Sequence, residues 1–466
     1  MKRPFNIALL SGVALGAASC SEGVSEKPLN ILLINIDDLG WSDLTFQGST
    51  FYETPNIDKL RSEGVFFDNG YAAAANSAPS RSSMLTGVYA PRHGVYTVNP
   101  ADRGKAKDRK LISAENREFP RAEFELISER LQANGYNTCQ VGKWHLGDDS
   151  AEQGFDLNIG GYAKGHPDSY FSPYNNPHLT DGEDGEFLTD RITTEAIKFL
   201  ESGRDKSKPF FLYYATYAVH TPIQPKPELV GRYEEKEANE AHYNAKYAAL
   251  IESMDQNVGR LLEALRETGE EDNTVIIFTT DNGGLYSVSK QWPLRAGKGS
   301  FYEGGIRVPF IVKWNGHTTP NTTNHTPVSQ MDLYPTILSL TGVTNEGLVL
   351  DGVDICEMIV GKRDIDERSI YWHFPAYLEG GNSECTDSIF RSRPVSVVRR
   401  GDWKLIHNYE SGINELYNIK DDISEKSDLA KVNKAMCDQL YGDLQAWLKS
   451  VDAPCDFKLN PKYQGE

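Results

Sequence analysis

Asn30-Ile31-Leu32-Leu33-Ile34-Asn35-Ile36-Asp37-Asp38 is a nearly unbroken apolar run that ends in two carboxylates. Apolar residues at consecutive rather than alternate positions suit a strand buried on both faces, as in a parallel sheet covered by helices. Residues 136–142, 209–214 and 274–280 read the same way. Between them, residues 55–63, 123–133, 189–200, 243–266 and 331–340 carry helical patterning, and 65–67 and 307–313 read as further strands. Alternating strands and helices predict an α/β fold with a mostly parallel central sheet flanked by helices. After about residue 355 the pattern changes. Residues 369–373, 395–399 and 403–407 read as short strands, with Arg400-Gly401-Asp402 as a hairpin turn. A helix over 426–449 completes a smaller C-terminal subdomain, 356–466, after a main domain over 29–355.

Polar groups repeatedly follow the last apolar residue of a strand, where open α/β sheets bind ligands. Asp37-Asp38 ends the first run and Asp281-Asn282 ends the run 274–280. Each pair alone suits a turn or cap. Adjacent carboxylates repel, and two such pairs at equivalent strand ends suit a hard divalent cation, calcium or magnesium rather than zinc, since no histidine cluster accompanies them.

The stretch from Ala75 to Gly87, Ala75-Asn76-Ser77-Ala78-Pro79-Ser80-Arg81-Ser82-Ser83-Met84-Leu85-Thr86-Gly87, reads as a short helix. Pro79 suits its first turn and Gly87 its stop. Ser77 reads two ways: as an N-cap, or as a reactive group at a helix start that favours anions. Ser77-Ala78-Pro79-Ser80-Arg81 followed by Leu85-Thr86-Gly87 resembles the signature of type I sulfatases of the alkaline phosphatase superfamily. In that family the first residue is oxidised to Cα-formylglycine.

The resemblance extends along almost the whole chain and implies a site. Asp37, Asp38, Asp281 and Asn282 match the metal ligands, with the formylglycine at position 77 adding an oxygen. Arg81 matches the arginine that steadies it. Gly142-Lys143-Trp144-His145-Leu146-Gly147 matches a second signature and supplies Lys143 and His145. His220 matches the pocket histidine, and Lys298 the second pocket lysine. The implied activity is hydrolysis of sulfate monoesters. Lys143, Lys298 and one Ca²⁺ (or Mg²⁺) would stabilise the sulfuryl oxygens. His220, with Lys298, would protonate the leaving alcohol and His145 would deprotonate the hydrated aldehyde, roles the two histidines can exchange. Alternatives are a phosphomonoester or phosphonate hydrolase of the same superfamily, and an inactive sulfated-glycan-binding lipoprotein.

Serine rather than cysteine at 77 resembles the substrates of radical S-adenosylmethionine maturases, which work without oxygen, so such an enzyme is an expected transient partner. A sulfated saccharide is the expected substrate, with exo action. For the sugar, His93, Trp372, His373 and Arg393 are the leading candidates, with Tyr162, His166 and His178 in the Gly-, Asp- and Tyr-rich segment 150–188, and Tyr371.

The 466-residue chain is 39% hydrophobic and 24% charged, a globular composition, and its net charge of −18 argues against a nucleic-acid partner. Met1-Lys2-Arg3, an apolar run over 7–18 and Ala17-Ala18-Ser19-Cys20 resemble a bacterial lipoprotein signal, with an ordinary signal peptide as the alternative. Residues 21–28 would be a tether. The expected address is the periplasm or the outer membrane of a Gram-negative bacterium, by a lipid anchor on Cys20. Cys139, Cys356, Cys385, Cys437 and Cys455 lack metal-type spacing. One or two disulfides are expected among the last four, with Cys139 a buried free thiol.

Overall fold

The computed structural model describes residues 27–465. The leader, Cys20 and the tether up to residue 26 lie outside the described residues. Eight strands form the central sheet: β1 Asn30–Ile36, β2 Val65–Phe67, β3 Asn137–Gly142, β4 Leu157–Ile159, β5 Phe210–Ala215, β6 Thr274–Thr280, β7 Phe310–Trp314 and β8 Thr322–Asn324. They lie in the order β4-β3-β5-β1-β6-β7-β2-β8. The left five strands are parallel, with β1 in register between β5 and β6, Leu33 facing Tyr213 on one side and Ile277 on the other. Only β7 runs against its neighbours.

The apolar run of β1 serves two cores at once. Leu32, Ile34 and Ile36 point into one, with the helices Leu188–Glu201 and Ala245–Glu267 packed over them through Ile192, Phe199, Leu250, Met254 and Leu261. Ile31 and Leu33 point into the other, under the helices Ser77–Thr86, Ile127–Ala133 and Leu333–Thr341. Every residue of β1, β5 and β6 is buried. At about 1.5–3 kcal/mol for each fully buried Leu, Ile or Phe, this double burial fixes which strands are central.

The C-terminal part has its own antiparallel sheet, β9 Ser369–Phe374, β10 Val395–Arg400, β11 Trp403–Asn408 and β12 Asn414–Asn418. Arg400 pairs with Trp403, and Gly401 begins the two-residue turn at φ 54°, a conformation that favours glycine. The helix Lys434–Ser450 lays Leu440, Leu444 and Trp447 over Val398, Leu405 and Leu416. Among the described residues no helix is long and apolar enough to cross a membrane.

Several expectations shift. The last helix begins at Lys434, not 426, because the Asn433 side chain caps it by accepting from Met436 N. The helix expected from 123 begins at Ile127, where the Glu129 carboxylate accepts from Leu126 N at 2.7 Å. The strand expected from Arg307 begins at Phe310, after a helical turn Glu303–Ile306. The segment 150–188 contains the edge strand β4, which its short length hid. No disulfide joins the last four cysteines to one another: Cys385, Cys437 and Cys455 are free thiols, as is the buried Cys139.

A buried ion cluster joins the two parts. Lys404 of β11 reaches Glu303 at 2.9 Å and Glu425 at 2.8 Å, all three fully buried, and Glu303 also accepts from Tyr71 at 2.8 Å. Removing the cation leaves two carboxylates in low dielectric, which typically costs about 3–5 kcal/mol. Burial already pushes the Glu425 carboxyl up to about 7, so that group can take a proton and ease the loss. Lys404→Ala is expected to lower urea stability by about 3 kcal/mol, the low end of that range. A change under 0.5 kcal/mol would show that the cluster does not join the two parts.

Candidate active site

The carboxyl ends of β1, β3, β5 and β6 meet at one point. Asp37-Asp38 leaves β1, Lys143 leaves β3, and Asp281-Asn282 leaves β6. Asp281 N donates to Ile36 O, and Asp38 N donates to an Asp281 carboxylate oxygen at 3.2 Å, so the two acidic pairs lock together. The loop after β5 is held to the same place: Val219 N donates to Asp37 O at 2.9 Å, which brings in His220. Gly283 allows the close approach of the Lys298 side. A Cβ there would lie 1.9 Å from Gly304 O.

Ser77 is the first residue of its helix, and Asn76 is the cap residue, with extended backbone (φ −148°). The N-cap reading of Ser77 is thereby corrected. Its hydroxyl is free of capping and turns to the strand ends: it accepts from Lys143 Nζ at 2.9 Å and lies 3.4 Å from both Asp37 Oδ1 and Asn282 Oδ1. One turn along, Arg81 is fully buried. Its Nε donates to Asp281 at 3.0 Å, and Nη1 donates to Lys143 O and to the Tyr213 hydroxyl, each at 3.2 Å.

Lys143 Nζ lies 2.7 and 2.8 Å from the two Asp37 oxygens, and Lys298 Nζ 2.6 Å from Asp38 Oδ2. His220 Nε2 is 3.5 Å from Asp38, and its Nδ1 sits 2.7 Å from Thr221 O. His145, at φ 66°, is half-buried, and its buried Nδ1 is unpartnered. Burial, and then the Lys143, Arg81 and Lys298 charges, hold its imidazole well below the ordinary histidine range. Burial raises the Asp281 carboxyl, but Arg81 and Lys143 outweigh it and keep the group ionised.

Asp37, Asp38 and Asp281 are buried, and one oxygen of each lies within 4.8 Å of the others. Buried carboxylates gathered this closely, with the Asn282 and Ser77 oxygens beside them, form an all-oxygen donor set that fits a hard divalent cation.

Above this floor opens a cavity of about 640 Å³. Ser77, Lys143, His145, His220 and Lys298 line it, as does His166, whose ring stacks parallel to His220 at 6.2 Å. Four expected sugar contacts do not reach it. His93 is fully buried between Ser83 Oγ (2.8 Å) and Val95 N. Trp372 is buried and donates to Ala72 O. His373 is buried between Ser396 and Pro454. Arg393 is tied to Asp387 and Glu410. Tyr371 stacks on Trp447, Tyr162 gives its backbone carbonyl to His145 N, and His178 sits on Asp148 O. Aromatic and histidine content pointed to these residues, but in β9 it is core packing. Sequence reasoning missed the actual rim, Thr97, Arg103, Glu118 and Lys164 from irregular loops and Arg391 from a three-residue strand, segments too irregular or too short to carry a periodic signal.

The sulfatase family model matches residues 29–343, and the model for the C-terminal part of N-sulphoglucosamine sulphohydrolase matches 297–453. The chain belongs to the sulfatase family. It is a sulfuric ester hydrolase of a family that is generally formylglycine-dependent and metal-binding. A sulfatase of Formosa agariphila is 31% identical over 96% of this chain and 93% of its own. Human N-acetylgalactosamine-6-sulfatase is 32% identical over 74% of this chain and 68% of its own. The crystal structure of Ps i-CgsB in complex with k-i-k-neocarrahexaose matches with TM-score 0.75 at 32% identity, over 90% of this chain and 93% of that one. A phosphonate monoester hydrolase of Agrobacterium radiobacter, at 20% identity and TM-score 0.67, shares the fold.

His93 and His373, outside the cavity, give a pH prediction. Burial lowers each to about 3. The unfolded chain, with ordinary values near 6.5, binds these protons first. Their contribution is therefore complete above about pH 6.5 and is lost as pH falls toward about 3, at up to about 1.4 kcal/mol per pH unit for each histidine. Urea midpoints measured from pH 7 to 4 should fall less steeply for His373→Asn than for the parent. Equal slopes would show that His373 is protonated in the fold.

Proposed function

We propose that the chain is an exo-acting carbohydrate sulfatase that works through a formylglycine made from Ser77 and one divalent cation, calcium ahead of magnesium. The observation that carries the reading is the Ser77 hydroxyl, held at a helix start within hydrogen-bond reach of Lys143 and facing two metal-ligand candidates. The saccharide substrate is supported by the relatives, one an N-acetylgalactosamine-6-sulfatase by its name and one solved in complex with k-i-k-neocarrahexaose.

Asp37, Asp38, Asp281 and Asn282 would hold the cation, with residue 77. Bound there, it supplies a Lewis acid that lowers the pKa of a hydroxyl on the modified residue 77 and polarises the sulfate ester. The chain's own residues do the rest. Lys143 and Lys298 meet the sulfuryl oxygens with fixed positive charge in a buried pocket, where such contacts are worth most. Arg81, beneath the helix, fixes residue 77 and Asp281 in one frame. His220 is neutral in the free site, its imidazole lowered to about 3 by burial and Lys298. The negative sulfate beside it favours the protonated form, which then donates to the leaving oxygen, with Lys298 beside it. His145, neutral and with a free Nδ1, is built to accept a proton.

Conversion of Ser77 to the aldehyde removes two hydrogens and needs an oxidising partner, for which a radical S-adenosylmethionine maturase is the fitting class. The lipoprotein-like leader supports export and anchoring at Cys20 in a Gram-negative envelope.

Protein from an anaerobic host with a maturase should show the loss of two hydrogens at residue 77 by intact mass. It should release sulfate from a sulfated mono- or disaccharide. Ser77→Ala is expected to abolish turnover while still binding the sugar, and Lys143→Ala to lower kcat by about 10²–10³-fold. A Ser77→Ala protein that turns over normally would sink the reading. A second expectation is that chelator abolishes activity and Ca²⁺ restores it. Activity untouched by exhaustive chelation would overturn the metal assignment. Preference for a matched aryl phosphate over the aryl sulfate would favour the phosphatase alternative.

A further inference from the structure

The cavity has a second positive region, outside the sulfate pocket, that the mechanism does not use. Arg391 sits on the short strand Phe390–Ser392, whose flanking Phe390 and Ser392 are buried, while Arg391 faces the cavity. Its Cδ lies 3.1 Å from the position a Cβ on Gly299 would take, so it adjoins Lys298 by one residue. Nε donates to Gly380 O at 3.3 Å. No carboxylate of the described residues lies within ion-pair distance of this guanidinium, and its two terminal nitrogens have no hydrogen-bond partner among them.

Arg103 lines the same cavity from another loop. One terminal nitrogen donates weakly to Val98 O and Asn99 O, at 3.4 and 3.3 Å, and its buried Nε has no partner. The cost of this arrangement is visible in the electrostatics. Burial first, and the Arg103 charge last, lower the proton affinity of Arg391, while Asp38 and Glu379 offset part of it. An arginine stays charged throughout. Two half-buried guanidiniums that repel each other, neither of them ion-paired among the described residues, are stabilised when an anion enters. The other charged groups on the rim do not fill this role: Lys164 is paired with Asp168, and Glu118 and Glu379 are exposed.

We propose that Arg391 and Arg103 form a second anion subsite, so that the preferred saccharide carries another anionic group, sulfate or carboxylate, near the scissile sulfate. This rests on the sulfatase reading above. A planar guanidinium with two free nitrogens suits bidentate contact with either group. The subsite selects substrates; it takes no part in breaking the ester.

The test compares kcat and KM for matured parent, Arg391→Ala and Arg391→Lys on matched pairs. The sulfate arm is N-acetylgalactosamine 6-sulfate against its 4,6-disulfate, and neocarrabiose with one sulfate against two. The carboxylate arm is a chondroitin 6-sulfate disaccharide against its carboxyl-reduced form. 4-Nitrophenyl sulfate reports the catalytic centre. For the parent, kcat/KM should favour the doubly anionic member of one arm by about tenfold or more, mainly through KM. Arg391→Ala should bring that ratio to about one, and Arg391→Lys should restore part of it; the arm that responds names the group. A merely structural role would lower both members of a pair alike and leave the ratio unchanged, which overturns the subsite. Turnover of 4-nitrophenyl sulfate with no preference in either arm also overturns the subsite and leaves the sulfatase reading standing. No turnover of any ester by protein that has lost two hydrogens at residue 77 sinks the sulfatase reading itself.

Discussion

The buried Arg81 guanidinium is the contact on which the site depends. It lies under the helix Ser77–Thr86 and joins three separate elements, reaching Asp281 after β6, the Lys143 carbonyl after β3, and the Tyr213 hydroxyl within β5. Asp37 lies within 3.7 Å of it as well. Burying a cation is costly unless its partners are charged and well placed. Here those partners are the same carboxylates that a metal would need gathered. Each compensates the other: the carboxylates are held close by the cation, and the cation is kept buried by them. The helix start, and with it Ser77, is fixed by this exchange rather than by a cap.

That frame explains why the floor of the cavity was legible in the sequence. Asp37, Lys143 and Asp281 each stand within one or two residues of the end of an apolar strand, and parallel strands deliver their carboxyl ends to one side of the sheet. Strand periodicity therefore locates these residues in space as well as along the chain. The same holds for the elements themselves: residues 30–36, 55–63 and 274–280 form the expected strands and helix at their expected bounds. The boundaries that moved did so for local reasons. Asn433 and Glu129 cap helices that composition alone would extend, since a cap is a single hydrogen bond and leaves no periodicity behind.

The rim was not legible, and the reason is physical. His93, Trp372 and His373 have the chemistry of sugar contacts, but a buried aromatic in β9 and a buried histidine with two partners have identical composition to exposed ones. Burial is decided by which face of the C-terminal sheet meets the helix Lys434–Ser450 and which meets the main domain. Arg391 and Arg393 make the point within three residues. One follows the strand alternation and faces the cavity. The other lies past the strand end and is captured by Asp387 and Glu410. Nothing in the residue types separates them.

The division of the chain at about residue 355 marks a change of sheet type, but the cavity does not respect it. Lys298 belongs to the main part by sequence, yet the helical turn five residues later is clamped by Lys404 from β11. Arg391 and Gly380, from the C-terminal part, close the cavity beside Lys298. The C-terminal family match accordingly begins at residue 297, well before the second sheet. A truncation that kept every metal-ligand candidate would still remove the Lys404 cation that holds the Lys298 side, and with it one wall. The chemistry of the floor and the choice of substrate are thus supplied by different parts of the chain, and the buried ion cluster is what keeps them in register.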